Sequence, residues 1–413
     1  MTNRSKTALL HGIWGTYNYG CEAIVRGTAT LLRQVDPDIV VWYASARIAD
    51  DRIRLRDSGV NVIPRRLYGR YSARNVVRKL LTKTRMDWEP VMEGMKMTDG
   101  MDAVLSIGGD IYTAGPGQYP RHPMRFGDAV LARGIPYILF GASVGPFEVT
   151  EAVEDRIRRH LRRISLITAR EPETISYLAR LGVSDNVVAC ADPAYVVAPD
   201  VHGVTAPTAR KLVIGINLSP LSARHVGRTL DTALTQQARA ISALIEELDA
   251  DVLFLPHVYA PFASDDDDVR YLQELRTRLP VSLQARVELV EGDPGFVGMK
   301  HHLTRCHLVI AARMHCAINA VSCLVPTIFA SYSSKAVGMC RYVYGNLEWN
   351  ASVRELLPER LVPLVASMQQ AGPNVRNYLR QRVPAIRRDA AAVVPSLSRL
   401  LAKPEASKHR VRA

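Results

Sequence analysis

The sequence lacks the spacings that would make its cysteines structural. Cys21, Cys190, Cys306, Cys316, Cys323 and Cys340 include no CxxC and no close-spaced pairs of a zinc site, so they read as reduced, mostly buried small apolar residues. There is no uninterrupted apolar run near the ~18 residues of a membrane span. The short apolar stretch after Arg4 and Lys6 is broken by His11 and Gly12, which is not the pattern of a secretory signal. The expectation is a soluble, cytoplasmic protein. No repeat of about 20–50 residues and no low-complexity segment are found. Helix-turn-helix, zinc-finger and RNP patterns are also missing, which argues against a nucleic-acid partner.

What is present is an ordinary globular composition with a surplus of positive charge. The chain has 413 residues, is 47% hydrophobic, and carries 53 Lys and Arg against 40 Asp and Glu. That length suggests two domains and a large core, and the charge suggests an anionic partner. Short apolar runs alternate with helical stretches. Strands are expected at 7–13, 39–44, 60–63, 103–107, 135–140, 166–169 and 187–191, with a helix over 22–33. Residues 199–210 are rich in turn formers and read as a linker. A second series follows, with strands at 212–217, 252–255, 286–290, 307–311 and 326–330 and helices at 232–249, 268–279 and 316–323. From Val353 the pattern is helical. The expected domains are 1–198, 211–350 and a helical tail, 351–413. The fold class is α/β, with two Rossmann-type, doubly wound domains facing a cleft.

The positive charge is uneven. Residues 65–85 hold Arg65, Arg66, Arg70, Arg74, Arg78, Lys79, Lys83 and Arg85 without an acid, interleaved with Tyr68 and Tyr71. This segment reads as a solvated face, as a basic loop that attracts anionic substrate, or as a patch touching anionic lipid at the inner membrane surface. Arg156, Arg158, Arg159, Arg162 and Arg163 form a second cluster on one helix, and the tail from Arg376 to Arg412 a third.

Polar residues gather where apolar runs end, which is where open parallel sheets bind ligands. Arg313 and His315 follow the run 307–311, Lys335 follows 326–330, and Arg170 follows 166–169. A guanidinium holds a carboxylate or phosphate bidentately, and an ammonium adds a point charge. His257 follows 252–255, Gly108, Gly109 and Asp110 follow 103–107, and Asp192 follows 187–191. Asn18 and Glu22 lie in the glycine-bounded turn after the first strand. The run Asp265-Asp266-Asp267-Asp268 reads as the acidic first turn of a helix, and no metal site is expected.

Together these segments resemble one family. Gly12-Ile13-Trp14-Gly15-Thr16-Tyr17-Asn18-Tyr19-Gly20-Cys21-Glu22-Ala23-Ile24 looks like the opening motif of the polysaccharide pyruvyl transferases. Ile107-Gly108-Gly109-Asp110, Gly141-Ala142-Ser143-Val144-Gly145-Pro146, Thr168-Ala169-Arg170-Glu171, Ala191-Asp192-Pro193-Ala194, Ala312-Arg313-Met314-His315 and Ser334-Lys335 follow in order. The resemblance covers about residues 8–345 and implies a GT-B-like architecture. It also implies transfer of pyruvate from phosphoenolpyruvate, a donor substrate rather than a cofactor, to two hydroxyls of one sugar. The product is a cyclic ketal on a glycan or lipid-linked acceptor, and phosphate leaves.

On this reading Arg170, Arg313 and Lys335 bind the doubly anionic donor, and His315 is the acid or the donor that stabilises the departing phosphate. Asp110, Glu22 or Asp192 is the base, left unranked, and Asn18, Glu22 and His257 suit contacts to sugar. Position 21 is Cys where many relatives carry Asp, so the acceptor is the least transferable part. The nearest alternative is a nucleotide-sugar-dependent GT-B glycosyltransferase. A non-enzymatic protein using its basic faces on membrane or nucleic acid is the rival from another class. Sequence leaves the oligomeric state open.

Overall fold

The computed structural model describes residues 4–65, 94–115, 117–197, 211–226, 229–262 and 264–402. The basic stretch 66–85, the linker 199–210 and the tail from 403 lie outside the described residues.

The chain divides into two compact units. One comprises Met1–Gly15, Ile24–Pro193 and Asp389–Ala413, and the other Thr16–Ala23 and Ala194–Arg388. The first unit is built on seven strands: β1 (Thr7–His11), β2 (Val40–Ser45), β3 (Val60–Pro64), β4 (Ala103–Ile107), β5 (Tyr137–Phe140), β6 (Leu166–Ala169) and β7 (Val187–Ala189). Their order is β3-β2-β1-β4-β5-β6-β7, and every pairing is parallel. Parallel strands need helical crossovers that cover both faces, so central strands are apolar throughout. Ala8, Leu9 and Leu10 in β1 and Val104 and Leu105 in β4 are fully buried accordingly.

The second unit repeats the plan with β8 (Val213–Asn217), β9 (Asp251–Phe254), β10 (Val287–Leu289), β11 (Leu308–Ala311), β12 (Thr327–Ser331) and β13 (Asn350–Ser352). The order is β10-β9-β8-β11-β12-β13, again parallel. In each sheet the order reverses beside the first strand, between β1 and β4 and between β8 and β11. That reversal opens a crevice at the carboxyl ends. Strand β13 has no counterpart in the sequence reading. Its three residues, Asn350, Ala351 and Ser352, are too few and too polar to show a strand pattern.

The tail forms the helices Pro358–Ala391 and Val394–Ala402. The first runs through Pro363, Pro373 and Pro384, residues that ordinarily break a helix by removing a hydrogen bond to the carbonyl four residues back. All three prolines are exposed, as are Glu359, Gln369 and Arg380, whose carbonyls lose their donor. Water can hydrate those carbonyls. The opposite stripe, Leu361, Val365, Met368, Leu379, Val383, Ile386 and Ala390, is buried and holds the helix straight enough to continue. Among the described residues no helix is long and apolar enough to cross a membrane.

Candidate functional site

In the second unit the crevice begins with Asn217, the last residue of β8. Its side-chain amide donates to the Leu255 carbonyl at 2.8 Å, and its Oδ1 accepts from the Arg313 backbone N–H at 2.9 Å. One buried side chain thus joins the ends of β8, β9 and β11. Arg313 precedes the helix Met314–Ser322. Its Nε lies 3.0 and 2.9 Å from the two Asp268 oxygens. Its Nη2 donates to Asp268 and to Asp266, each at 2.7 Å. Nη1 has no partner among the described residues. Burial alone would lower the guanidinium pKa, but Asp268 and Asp266 more than reverse this and the net shift is upward. Arg313 is therefore a fixed cation whose Nε and Nη2 are engaged.

Asp268 does more than neutralise charge. It is fully buried and also accepts the backbone N–H groups of His257 at 2.9 Å and Val258 at 3.1 Å. Asp267, beside it, caps the helix Asp268–Thr277 by accepting from Val269 N. The acidic run is a helix start, as its pattern suggests, and two of its carboxylates turn inward onto Arg313. The sequence reading did not connect them, because nothing local signals a partner 45 residues away.

The turn after β1 belongs to the same unit. Tyr19 N donates to the His257 carbonyl and Tyr259 N to the Tyr17 carbonyl, both at 2.9 Å, with an antiparallel bridge between Asn18 and Val258. Asn18 Oδ1 accepts from Gly20 N at 2.9 Å and so caps the helix Tyr19–Val35, which starts three residues before the sequence expectation. Tyr19 OH donates to Asp293 at 2.8 Å. Glu22 is buried, and its carboxylate accepts from Phe296 N at 2.7 Å at the first turn of the helix Gly295–Leu303, where the helix dipole favours an anion. Gly20 packs against His315 so closely that a Cβ there would run into the imidazole ring. The motif 16–23 thus meets His257 and His315, more than 200 positions away in sequence.

His257 is buried, and its Nδ1 lies 3.3 Å from the Leu255 carbonyl, which can only accept. Its Nε2 has no partner among the described residues. Burial first, and then the charges of Arg313 and His315, push its pKa down to about 3. The ring is neutral at working pH and offers a lone pair as a hydrogen-bond acceptor. Lys335, partly exposed, is the second residue of the helix Ser334–Tyr344 that follows β12, the strand paired with β11.

Arg170 lies in the first unit, at the end of β6, with its side chain 2% exposed. It forms an ion pair with Asp192 and lies 3.6 Å from Glu171. Burial would lower its pKa, but Asp192, Glu171 and Asp110 raise it overall. Its guanidinium packs on Gly109, where a Cβ would collide with it. Ser143 N donates to the Gly109 carbonyl at 2.8 Å. Gly108 has φ +126°, a conformation that favours glycine, and Asp110 is exposed. Arg170, Gly108, Gly109, Asp110 and Asp192 therefore group in one unit, and Arg313, His315, His257, Asn18 and Glu22 in the other. The sequence reading missed Asp266, Asp268, Asn217, Glu171 and Asp293. Among the described residues no three His, Cys, Asp or Glu side chains are grouped as a metal site.

The family model of the polysaccharide pyruvyl transferases matches residues 18–334. The chain belongs to this family. The matched stretch runs from the Asn18 cap to Ser334, so it takes in Arg170, Arg313 and His315 and ends just before Lys335. No curated protein matches the chain. Among solved structures, HepE from Anabaena in complex with UDP-glucose superposes with a TM-score of 0.56 at 13% identity, covering 95% of this chain and 100% of that one. UDP-GlcNAc 2-epimerase from Neisseria meningitidis, bound to UDP-GlcNAc, gives 0.54 at 11%, covering 96% and 98%. MurG from Acinetobacter baumannii gives 0.52 at 14%, covering 96% and 100%. At such identity the likeness is one of fold, and this pyruvyl transferase family member has the two Rossmann-like sheets of a GT-B architecture.

Two buried histidines are expected to make the protein lose stability in acid. Like His257, His11 is held near pKa 3, by burial first and then by Arg65, with its ring stacked 4.4 Å from that of Phe126. In the unfolded chain both protonate near pH 6.5. Each therefore contributes stability that is present above pH 6.5 and is lost as pH falls toward 3. Between pH 7 and 5 the expected loss is about 2 kcal/mol per histidine. Urea unfolding at the two pH values checks this, and His11→Phe should remove about half of the combined effect. An equal pH dependence in that variant would show that His11 does not carry its share.

Proposed function

We propose that this pyruvyl transferase family member uses phosphoenolpyruvate as donor and forms a cyclic pyruvate ketal on two hydroxyls of one sugar in a glycan or glycolipid. The observation that carries the proposal is Arg313: a buried guanidinium, kept cationic by Asp268, whose Nη1 meets no partner among the described residues, with His315 two residues further on. Arg313 and Lys335 would hold the carboxylate and phosphate of the donor. His315 would protonate the methylene carbon C3 while a sugar oxygen bonds to C2. The C2–O bond to phosphate then breaks, the leaving oxygen takes the electron pair, and the second sugar oxygen bonds to C2. The first hydroxyl's proton restores His315, and the second leaves with the phosphate. Neutral His257 suits acceptance of a hydrogen bond from a sugar hydroxyl.

Glu22 is already engaged with Phe296 N and Asp192 with Arg170, so each would have to give up a partner to accept a proton. Incubation with phosphoenolpyruvate and a panel of glycosides, following phosphate release and product mass, tests the reading. Absence of labelled phosphoenolpyruvate binding, with acceptor analogues present, would refute it, and turnover of a nucleotide sugar instead would favour the glycosyltransferase alternative. Lys335→Ala should weaken phosphoenolpyruvate binding roughly 10- to 100-fold, as expected for loss of one charged hydrogen bond. Because Lys335 is only half-buried, thermal stability should stay unchanged. Titration of labelled donor measures the effect, and wild-type affinity in the variant would remove Lys335 from the donor site.

A further inference from the structure

Beside the start of the helix Ser334–Tyr344 lies a pocket of about 480 Å³, at the carboxyl ends of β12 and β13. It lies wholly within the second unit, and its volume is in the ~300–1,000 Å³ range of small-ligand sites. It contains neither Arg313 nor His315. Two of its lining residues, His225 and Tyr332, stack with ring centroids 5.0 Å apart and planes 18° from parallel. Arg354 Nε donates to the His225 carbonyl at 2.8 Å and fastens the segment that carries one of the rings. From β13, Asn350 lines the pocket, and its Oδ1 is buried without a hydrogen-bond partner among the described residues. A buried acceptor without a donor is costly, so a ligand that fills the pocket should bring a donor to it. Ser333, also in the lining, adds an exposed hydroxyl at the rim.

Arg354 and Glu355 both line the pocket, so their charges cancel, and with the buried acceptor of Asn350 the lining favours a neutral polyol over an anion. A phosphate or carboxylate would face Asn350 Oδ1, an acceptor, and the Glu355 carboxylate, which also lines the pocket. A sugar hydroxyl can donate to Asn350, and the C–H face of a pyranose can pack on the flat ring pair. We propose that this pocket is a pyranose subsite, taking a sugar unit of the substrate other than the one that receives pyruvate. The proposal rests on the glycan-acceptor reading above and extends it: the acceptor is at least a disaccharide.

The test is saturation-transfer NMR on the full chain with lactose, cellobiose and chitobiose and with the corresponding methyl monosaccharides, in parallel with pyruvyl-transfer assays on the same sugars. At least one disaccharide is expected to bind more tightly than its monosaccharides. Tyr332→Ala and Asn350→Leu should each weaken that binding about tenfold, whereas Tyr332→Phe should retain it. Circular dichroism melting confirms that each variant is folded, and Asn350→Leu serves if Tyr332→Ala is not. Disaccharide affinity unchanged in both variants, or no disaccharide binding in the wild type, overturns the subsite. Occupation by inorganic phosphate in competition with the sugars overturns it too. Pyruvyl transfer with equal KM for mono- and disaccharides would sink the subsite and leave the proposed reaction standing. Sugar binding lost in the variants, without any transfer from phosphoenolpyruvate, would do the reverse.

Discussion

Asp268→Ala is expected to destabilise the protein by about 3–5 kcal/mol, the usual cost of removing one partner from a buried ion pair. The reason lies in what remains. Arg313 would keep its charge in a site where its side chain is only 9% exposed, with Asp266 as its remaining carboxylate partner. The backbone N–H groups of His257 and Val258 would lose their acceptor as well. Asp268→Asn should cost less, since an amide oxygen can still accept from those groups, although its NH2 would face the guanidinium. Removing Arg313 together with Asp268 should cost less than the sum of the single changes, because the double variant buries no unpaired charge. Equilibrium urea unfolding of the four proteins measures the coupling. Strict additivity would show that the pair does not act as a unit. The same logic cautions against reading Arg313→Ala as a binding variant alone, since it strands Asp268 in the core.

His315→Ala should lower turnover roughly 100- to 10,000-fold, the range for losing a positioned general acid, with donor affinity much less affected. Steady-state kinetics with phosphoenolpyruvate and an active glycoside would report the kcat and KM changes separately. Gly20→Ala supplies an independent check from a residue with no chemistry of its own. Its added methyl would occupy the space of the His315 ring, so the imidazole must move, and a misplacement of about 1 Å can cost on the order of 100-fold. Gly20→Ala is therefore expected to lower kcat in the same direction as His315→Ala without abolishing folding. Full turnover in Gly20→Ala beside an inactive His315→Ala would mean that the observed ring position is not the working one.

Much of the fold was legible along the chain. Twelve of the strands answer to apolar runs read from sequence, because a strand buried on both faces must be continuously apolar. The exception, β13, lacked any run to read. The linker reading at 199–210, like the basic stretch after Arg65, falls outside the described residues. Of the site, the cationic and imidazole groups were visible because each follows an apolar run at a strand end. Their counter-ions were not. Asp268 and Glu171 look like ordinary acids at helix starts, and Asn217 looks like the polar end of a strand.

By itself the sequence determined the fold class, the family and the identity of the polar residues at strand ends, since these follow from local apolar patterning and short motifs. Only the tertiary structure decided how those residues are engaged. Asn18 and Glu22 stand as helix caps, Arg170 and Arg313 are cations already paired with buried carboxylates, and His257 is held neutral. Each of those states depends on burial and on charges tens to hundreds of residues distant, quantities that arise only when the chain is folded.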